Sequence, residues 1–338
     1  MTIKLSILDQ SPVSEGSTHA QALARTAQLA VDAEKLGYSR FWVSEHHAAS
    51  NLAGSSPEVL ISHIAAKTAS IRVGSGGVML PHYSSYKVAE NFRVLEGLYP
   101  GRIDLGLGRA PGGMPLATRA LQEGKVRGGI DLYPEQIEDL LGYIHDDLKE
   151  GHRFIGLEAS PAIETVPDMW LLGSSSDSAV LAAEKGVGFA FAQFINGDGG
   201  TQAMRWYQNH FQPSAHSDKP RALVAVFAIC AETEEEANRL ASSMDLSLVL
   251  LEKGMRTAGT PSVDQALNYP YTPYDLHRIR ENRKRMVVGS PEQVKEQIEQ
   301  LAAEYNCGEV MIASIIHDYE AKRRSIELIA RAFGLGGN

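Results

Sequence analysis

Cysteine is scarce in this chain: two residues in 338, Cys230 and Cys307, each beside apolar, strand-like sequence. So few cysteines exclude a disulfide scaffold and a cysteine-rich metal cluster, and both thiols read as reduced and buried. Residues 1–4 lead straight into a strand with no apolar signal segment, so a cytoplasmic location is expected. No apolar run approaches the roughly 20 residues that a membrane-spanning helix needs. There is no basic tract, and the net charge is −9. Nucleic acid is therefore not an expected partner. Internal repeats and low-complexity segments are missing too.

A complete dinucleotide fingerprint is also lacking. Gly106 and Gly108 supply a first G-x-G, but Pro111 stands where the third glycine belongs. The fingerprint further requires a helix to open at that point. Pro111, Gly112, Gly113 and Pro115 argue against one.

What is present is an ordinary globular composition, 43% hydrophobic and 22% charged, with a regular rhythm. Strands are predicted at 3–8, 40–44, 71–79, 102–107, 168–172, 189–194, 221–231 and 309–312. Helices are predicted at 19–36, 57–67, 85–98, 134–148, 176–185, 201–211, 234–244, 291–304 and 319–333. Eight βα units in succession predict a parallel sheet closed into an α/β barrel, a (β/α)8 TIM barrel, as one domain over 1–338. Insertions are expected after strands 4 and 7. The first, 110–132, is glycine-rich. The second, 246–285, holds Pro261, Pro270 and Pro273, three tyrosines, and a basic stretch of Arg278, Arg280, Arg283, Lys284 and Arg285. It reads equally as a mobile cover over the site or a solvated excursion.

Barrel chemistry sits where the strands end. Strand 4 ends by presenting Arg109 in a glycine-rich loop, suited to gripping a phosphate. Strand 5 ends in Gly173-Ser174-Ser175-Ser176-Asp177-Ser178, just before a helix whose N-terminal N–H groups suit the same ligand. The plainer alternative is N-capping by one serine. Strand 3 ends in Gly74-Ser75-Gly76-Gly77, a side-chain-free wall for a planar ring or a place of tight helix-on-strand packing. Strand 2 ends in Glu45-His46-His47. A metal site joined by His82 is conceivable, but the first strand offers no histidine, and alternate strand residues point apart. No metal is expected, and His47 reads as structural.

Taken together, these strand ends resemble the bacterial luciferase-like flavin-dependent monooxygenases, nearest to their single-chain alkanal-monooxygenase-like branch. The likeness rests on Glu45-His46-His47, on 74–81, on 99–112, and on 133–136 and 289–292. It implies a barrel that binds reduced FMN. Arg109 would hold the phosphate with Ser175, Ser178 and the backbone of Ser174, and Arg119 would assist. Gly76 and Gly77 would lie under the isoalloxazine, at a non-proline cis peptide. His46 would be catalytic, with Glu45 beside it. Reduced flavin and O2 would form a C4a-peroxide that attacks a small organic substrate. His46, near neutral in pKa, would donate to or accept from the peroxide oxygen. A separate flavin reductase and a homodimer are implied as well. Luciferases proper carry a cysteine where this chain has Gly108. That departure counts against light emission and leaves flavin-dependent oxygenation untouched. A deazaflavin-dependent oxidoreductase on the same barrel and a non-catalytic flavin carrier are the alternatives.

Overall fold

Alternate residues of the strands go to two different cores, and that segregation builds the barrel. The computed structural model describes residues 3–109, 111–125, 131–255 and 257–336. Its elements run β1 (Lys4–Asp9), α1 (His19–Lys35), β2 (Arg40–Val43), α2 (Pro57–Ala65), β3 (Arg72–Ser75), β4 (Val78–Met79), α3 (Ser85–Leu98), β5 (Ile103–Gly108) and α4 (Pro115–Leu121). Next come α5 (Tyr133–His145), β6 (Asp168–Gly173), α6 (Ser176–Lys185), β7 (Gly188–Ala192), α7 (Gly200–His210), β8 (Ala222–Cys230) and α8 (Glu234–Glu252). The chain closes with α9 (Val263–Leu267), α10 (Pro273–Arg283), β9 (Met286–Gly289), α11 (Pro291–Glu304), β10 (Glu309–Ala313) and α12 (Tyr319–Ala332).

All strand pairings are parallel, in the order β10-β1-β2-β3-β5-β6-β7-β8, and β10 pairs with β8 to close the ring. The result is a closed, eight-stranded parallel barrel inside a shell of helices. Phe41 and Val43 of β2, Leu105 and Leu107 of β5, and Phe189 and Phe191 of β7 pack outward into the layer shared with the helices. Trp42, Trp170, Ala190, Leu223, Ala225 and Met311 form the inner core, as the period of two requires. Trp42 and Trp170 meet edge-on at 5.6 Å. Below them lies a plug of charge. Asp104 accepts from Arg40 at 2.9 Å, from Trp42 Nε1 at 2.8 Å and from Arg72 at 2.6 Å. Arg221 pairs with Asp168 at 2.7 Å, and Arg40 also reaches Glu309 at 2.8 Å.

Helix boundaries follow local chemistry. Thr18 and Gln21 form a capping box on α1, as do Ser290 and Gln293 on α11. Gly186 stops α6 in the left-handed conformation at φ 62°.

Several elements depart from expectation. The strand predicted over 71–79 is two short strands, separated at Gly76-Gly77. A further strand, β9, lies along the C-terminal half of β8. Pro115 opens α4 rather than preventing a helix, since a first-turn proline loses no intrahelical bond. The rest of that first insertion includes Ala110 and residues 126–130, which lie outside the described residues. The second insertion is built rather than solvated. Helix α8 continues to Glu252, α9 and α10 carry their own capping boxes, and Leu246, Leu250 and Ala266 form a small core with Tyr269 and Tyr271. Thr260 ties this segment to the loop after β1, through bonds to Val13 O (2.7 Å) and from Glu15 N (3.0 Å). No described helix is long and apolar enough to cross a membrane.

Candidate active site

The strand ends surround a cavity of about 350 Å³, a size in the range of small-ligand sites. Gly76, Gly77, Arg109, Ser174, Ser175 and Ser178 all line it. The remaining wall is apolar, including Leu8, Trp42, Met79, Leu172, Phe194 and Ile195.

One end is a set of donors. Ser175 occupies the N-cap position of α6, yet its side chain makes no capping bond. Simple capping therefore does not account for the serine loop, and the hydroxyl and the first N–H groups of α6 remain for a ligand. Gly173 is required beside them, because a Cβ there would sit 2.2 Å from Ser178 Oγ. Arg109 follows β5 and is half exposed, with one nitrogen 2.6 Å from Asp131 Oδ2. An exposed pair of this kind contributes about 0–1 kcal/mol. A phosphate can displace it.

The flat wall is a product of strand packing. The Gly76-Gly77 peptide is cis. A Cβ at Gly76 would lie 2.7 Å from Leu8 Cδ1, and one at Gly77 would lie 2.8 Å from Gly106 O. Gly74 makes room for the Trp42–Asp104 hydrogen bond, since a Cβ there would come within 2.5 Å of Asp104 Cβ. The glycines thus accommodate neighbouring strands rather than a helix. Ser75 Oγ locks the same junction by donating to Gly106 O at 2.8 Å and accepting from Gly106 N at 3.0 Å.

Glu45 and His46 are not among the residues lining the cavity. Glu45 is fully buried. Its Oε1 accepts from Tyr83 Oη at 2.7 Å and lies 2.6 Å from His47 Nε2, while Oε2 accepts from Met79 N at 2.9 Å. Burial, reinforced by that bond to Glu45, raises the Tyr83 phenol far above its ordinary range, so it stays a donor. Glu45 thus pairs with His47, not His46, and fixes the backbone of Met79. Met79 in turn occupies the space over Gly108, where a Cβ would lie 2.8 Å from Met79 Cε. A cysteine at 108 would have to move that methionine.

His46 has Nδ1 3.0 Å from Ser44 Oγ, and its main-chain N–H donates to Gly54 O at 2.8 Å. Burial, followed by the nearby His47, pushes its pKa down to about 4. The expectation of a near-neutral imidazole is corrected: His46 is uncharged at neutral pH. His82 is buried with Nε2 on the Pro111 carbonyl at 2.7 Å and Nδ1 near Gln122 at 3.2 Å. Arg119 is exposed on α4 and lines a separate groove with Pro111, Pro115 and Gln122, not the cavity that Arg109 and the serines line.

Sequence reasoning did not single out Tyr83, Phe194 or Ile195 as site residues. Phe194 was within reach, because it ends a predicted strand at the barrel mouth. Nothing local marks Tyr83 as the partner of Glu45.

Comparison with known proteins agrees with this architecture. Residues 3–305 match the family model described as luciferase-like monooxygenase. Among the relatives are two proteins of Bacillus subtilis (strain 168). The protein YwcH is 58% identical over 98% of this chain and 99% of its own length. N-acetyl-S-alkylcysteine monooxygenase is 41% identical over 98% of each. The crystal structure of apo-MsnO8 superposes with a TM-score of 0.89 at 38% identity, covering 98% of both chains. On its sequence and its barrel alike, the chain belongs to the luciferase-like monooxygenase family and is an oxidoreductase.

Proposed function

We propose that this enzyme binds reduced FMN in the cavity at the barrel mouth and uses it with O2 to oxygenate a small organic substrate. One observation carries the reading. A cation, uncommitted serine hydroxyls and a helix N-terminus converge at one end of a cavity whose wall is two side-chain-free glycines. That donor set fits a phosphate, and the wall fits a flat ring. Reduced flavin supplies the electrons that activate O2 when it is bound.

The chain's own residues do the rest. Arg109, Ser174, Ser175 and Ser178 orient the phosphate. Trp42, Leu172, Phe194 and Ile195 keep the ring end apolar and exclude water. His46 lies three residues beyond β2, whose last residue, Val43, accepts from Gly76 N of the glycine wall at 2.8 Å. With Nδ1 engaged by Ser44, its Nε2 is the atom assigned to take or give a proton. Glu45 is a positioning residue that holds Met79.

The 41% identical relative is named for oxygenating an N-acetyl-S-alkylcysteine, which supports a small organic substrate here. The lack of a dinucleotide fingerprint supports delivery of reduced FMN by a separate reductase. Val59 on α2 and Val94 and Leu98 on α3 are 68%, 47% and 61% exposed, and we assign this apolar face to a homodimer contact. Two buried free thiols suit the reducing cytoplasm.

The test is a fluorescence titration of FMN. Removing a charge-assisted phosphate contact costs about 1.5–3 kcal/mol, so Arg109→Ala is expected to bind FMN tenfold to hundredfold more weakly. Equal affinity would reject this placement of the phosphate. Preferential binding of a deazaflavin over FMN would reject the cofactor.

A further inference from the structure

The basic stretch near residue 280 is not absorbed by the function proposed above, and its members differ sharply. Arg278 is paired with Glu252 at 2.8 Å, Arg283 with Asp245 at 2.7 Å and Lys284 with Glu281 at 2.8 Å. Arg285 is not neutralised in this way. It donates to the main-chain oxygen of Ile195 and to Asn282 Oδ1 at 2.7 Å, both uncharged acceptors. Among the described residues no carboxylate pairs with it within 4.0 Å, and the Glu252 carboxylate, already held by Arg278 and Asn282, feels its charge only at longer range. Asn282 stands between it and Glu252, donating to that carboxylate at 3.0 Å.

Topology puts Arg285 at the mouth of the barrel. It immediately precedes β9, whose Met286 pairs with Phe227. That level lies beyond the last β7–β8 pair, Ala192 with Ala225. Its acceptor Ile195 lines the cavity. Strand order therefore places Arg109 after β5, the serines after β6, Ile195 after β7 and Arg285 next along the rim. Beyond the serine loop the lining toward Arg285 is apolar, with Ala190, Ala192, Phe194 and Ile195. Arg109 is the sole charged lining side chain among the described residues, and Arg285 stands just outside the lining, on the carbonyl of Ile195.

We infer that Arg285 is a specificity residue that recognises an anionic group on the substrate. The substrate class is a small carboxylic acid with an apolar body: the body lies in the apolar cavity and the carboxylate meets Arg285 at the rim. A guanidinium retains donors after two neutral bonds and matches a carboxylate bidentately. The assignment of ends rests on the flavin reading, which gives the phosphate to Arg109.

The probe pair is 3-(benzylthio)propanoate and its methyl ester, measured by calorimetry on the full chain with and without FMN. Wild type is expected to bind the acid at least tenfold more tightly than the ester. Arg285→Gln should weaken the acid about tenfold and leave the ester and FMN unchanged, and Arg285→Lys should keep part of the preference. Arg280→Gln removes the same charge from an exposed position of α10 and should change neither ligand. The inference is overturned if wild type does not prefer the acid. It is equally overturned if Arg285→Gln keeps the full preference, or if Arg280→Gln abolishes it. Failure of FMN to bind would refute the flavin reading separately, because the acid–ester contrast is also read in flavin-free protein.

Discussion

Acidification should destabilise the fold through His46, and the size of the effect can be worked out. The folded pKa is about 4, against an ordinary value of 6.5. Desolvation is the main cause and the nearby His47 the second. Above pH 6.5 the ring is neutral in both folded and unfolded chains, and the full stability is present. Between 6.5 and about 4 the unfolded chain binds a proton that the folded one refuses, so stability falls with pH. Each pH unit in that window costs up to about 1.4 kcal/mol, for a total of roughly 3 kcal/mol. Below pH 4 this contribution is exhausted. His216, pushed down to about 3 chiefly by burial, adds a decline of its own, so the wild-type curve alone does not isolate His46. The assay is urea unfolding at several pH values between 7.5 and 4 for wild type and His46→Gln. The difference between the two proteins should shrink by roughly 3 kcal/mol across the window. Parallel curves would refute the burial argument.

Three more predictions follow from buried groups and surfaces. Glu45→Ala strands the Met79 N–H and the Tyr83 hydroxyl, so urea unfolding should show a loss of about 3–5 kcal/mol. Asp104→Ala removes the carboxylate shared by Arg40, Arg72 and Trp42 Nε1 beneath the barrel core, leaving Arg40 with Glu309 and Arg72 with Asp168, and should lower the thermal midpoint by several degrees. Wild type is expected to sediment as the proposed homodimer, and Val59→Asp combined with Leu98→Asp should convert it to monomer in sedimentation velocity. An unchanged sedimentation coefficient would remove α2 and α3 from the contact.

Much of the barrel was legible because its signals are local. Helix α3 was predicted at its observed bounds, and Gly186 marks the end of α6 as expected. Strand β9 was missed because Met286–Gly289 is short and follows a basic stretch that reads as loop. The charge plug was missed although its trace is visible in the sequence. Arg40, Arg72, Asp168 and Glu309 each open a strand, with Arg221 just before one and Asp104 second in another. Only closure of the ring brings these alternating charges together. For the site, the positions of Arg109 and the serine loop followed from strand ends. The partners of Glu45 did not, because Met79 and Tyr83 reach it through tertiary packing. The groove that Arg119 lines was not legible, because a motif match carries no direction and α4 sets where its side chains face.

The central claim is oxygenation by reduced FMN and molecular oxygen. The most direct measurement supplies chemically reduced FMN and 18O2 to the enzyme with a panel of small acids and thioethers, and reads product mass. The account predicts one 18O atom in the product, made by wild type and lost in His46→Ala while FMN binding persists. Product without 18O, or turnover only with a reduced deazaflavin, would contradict it.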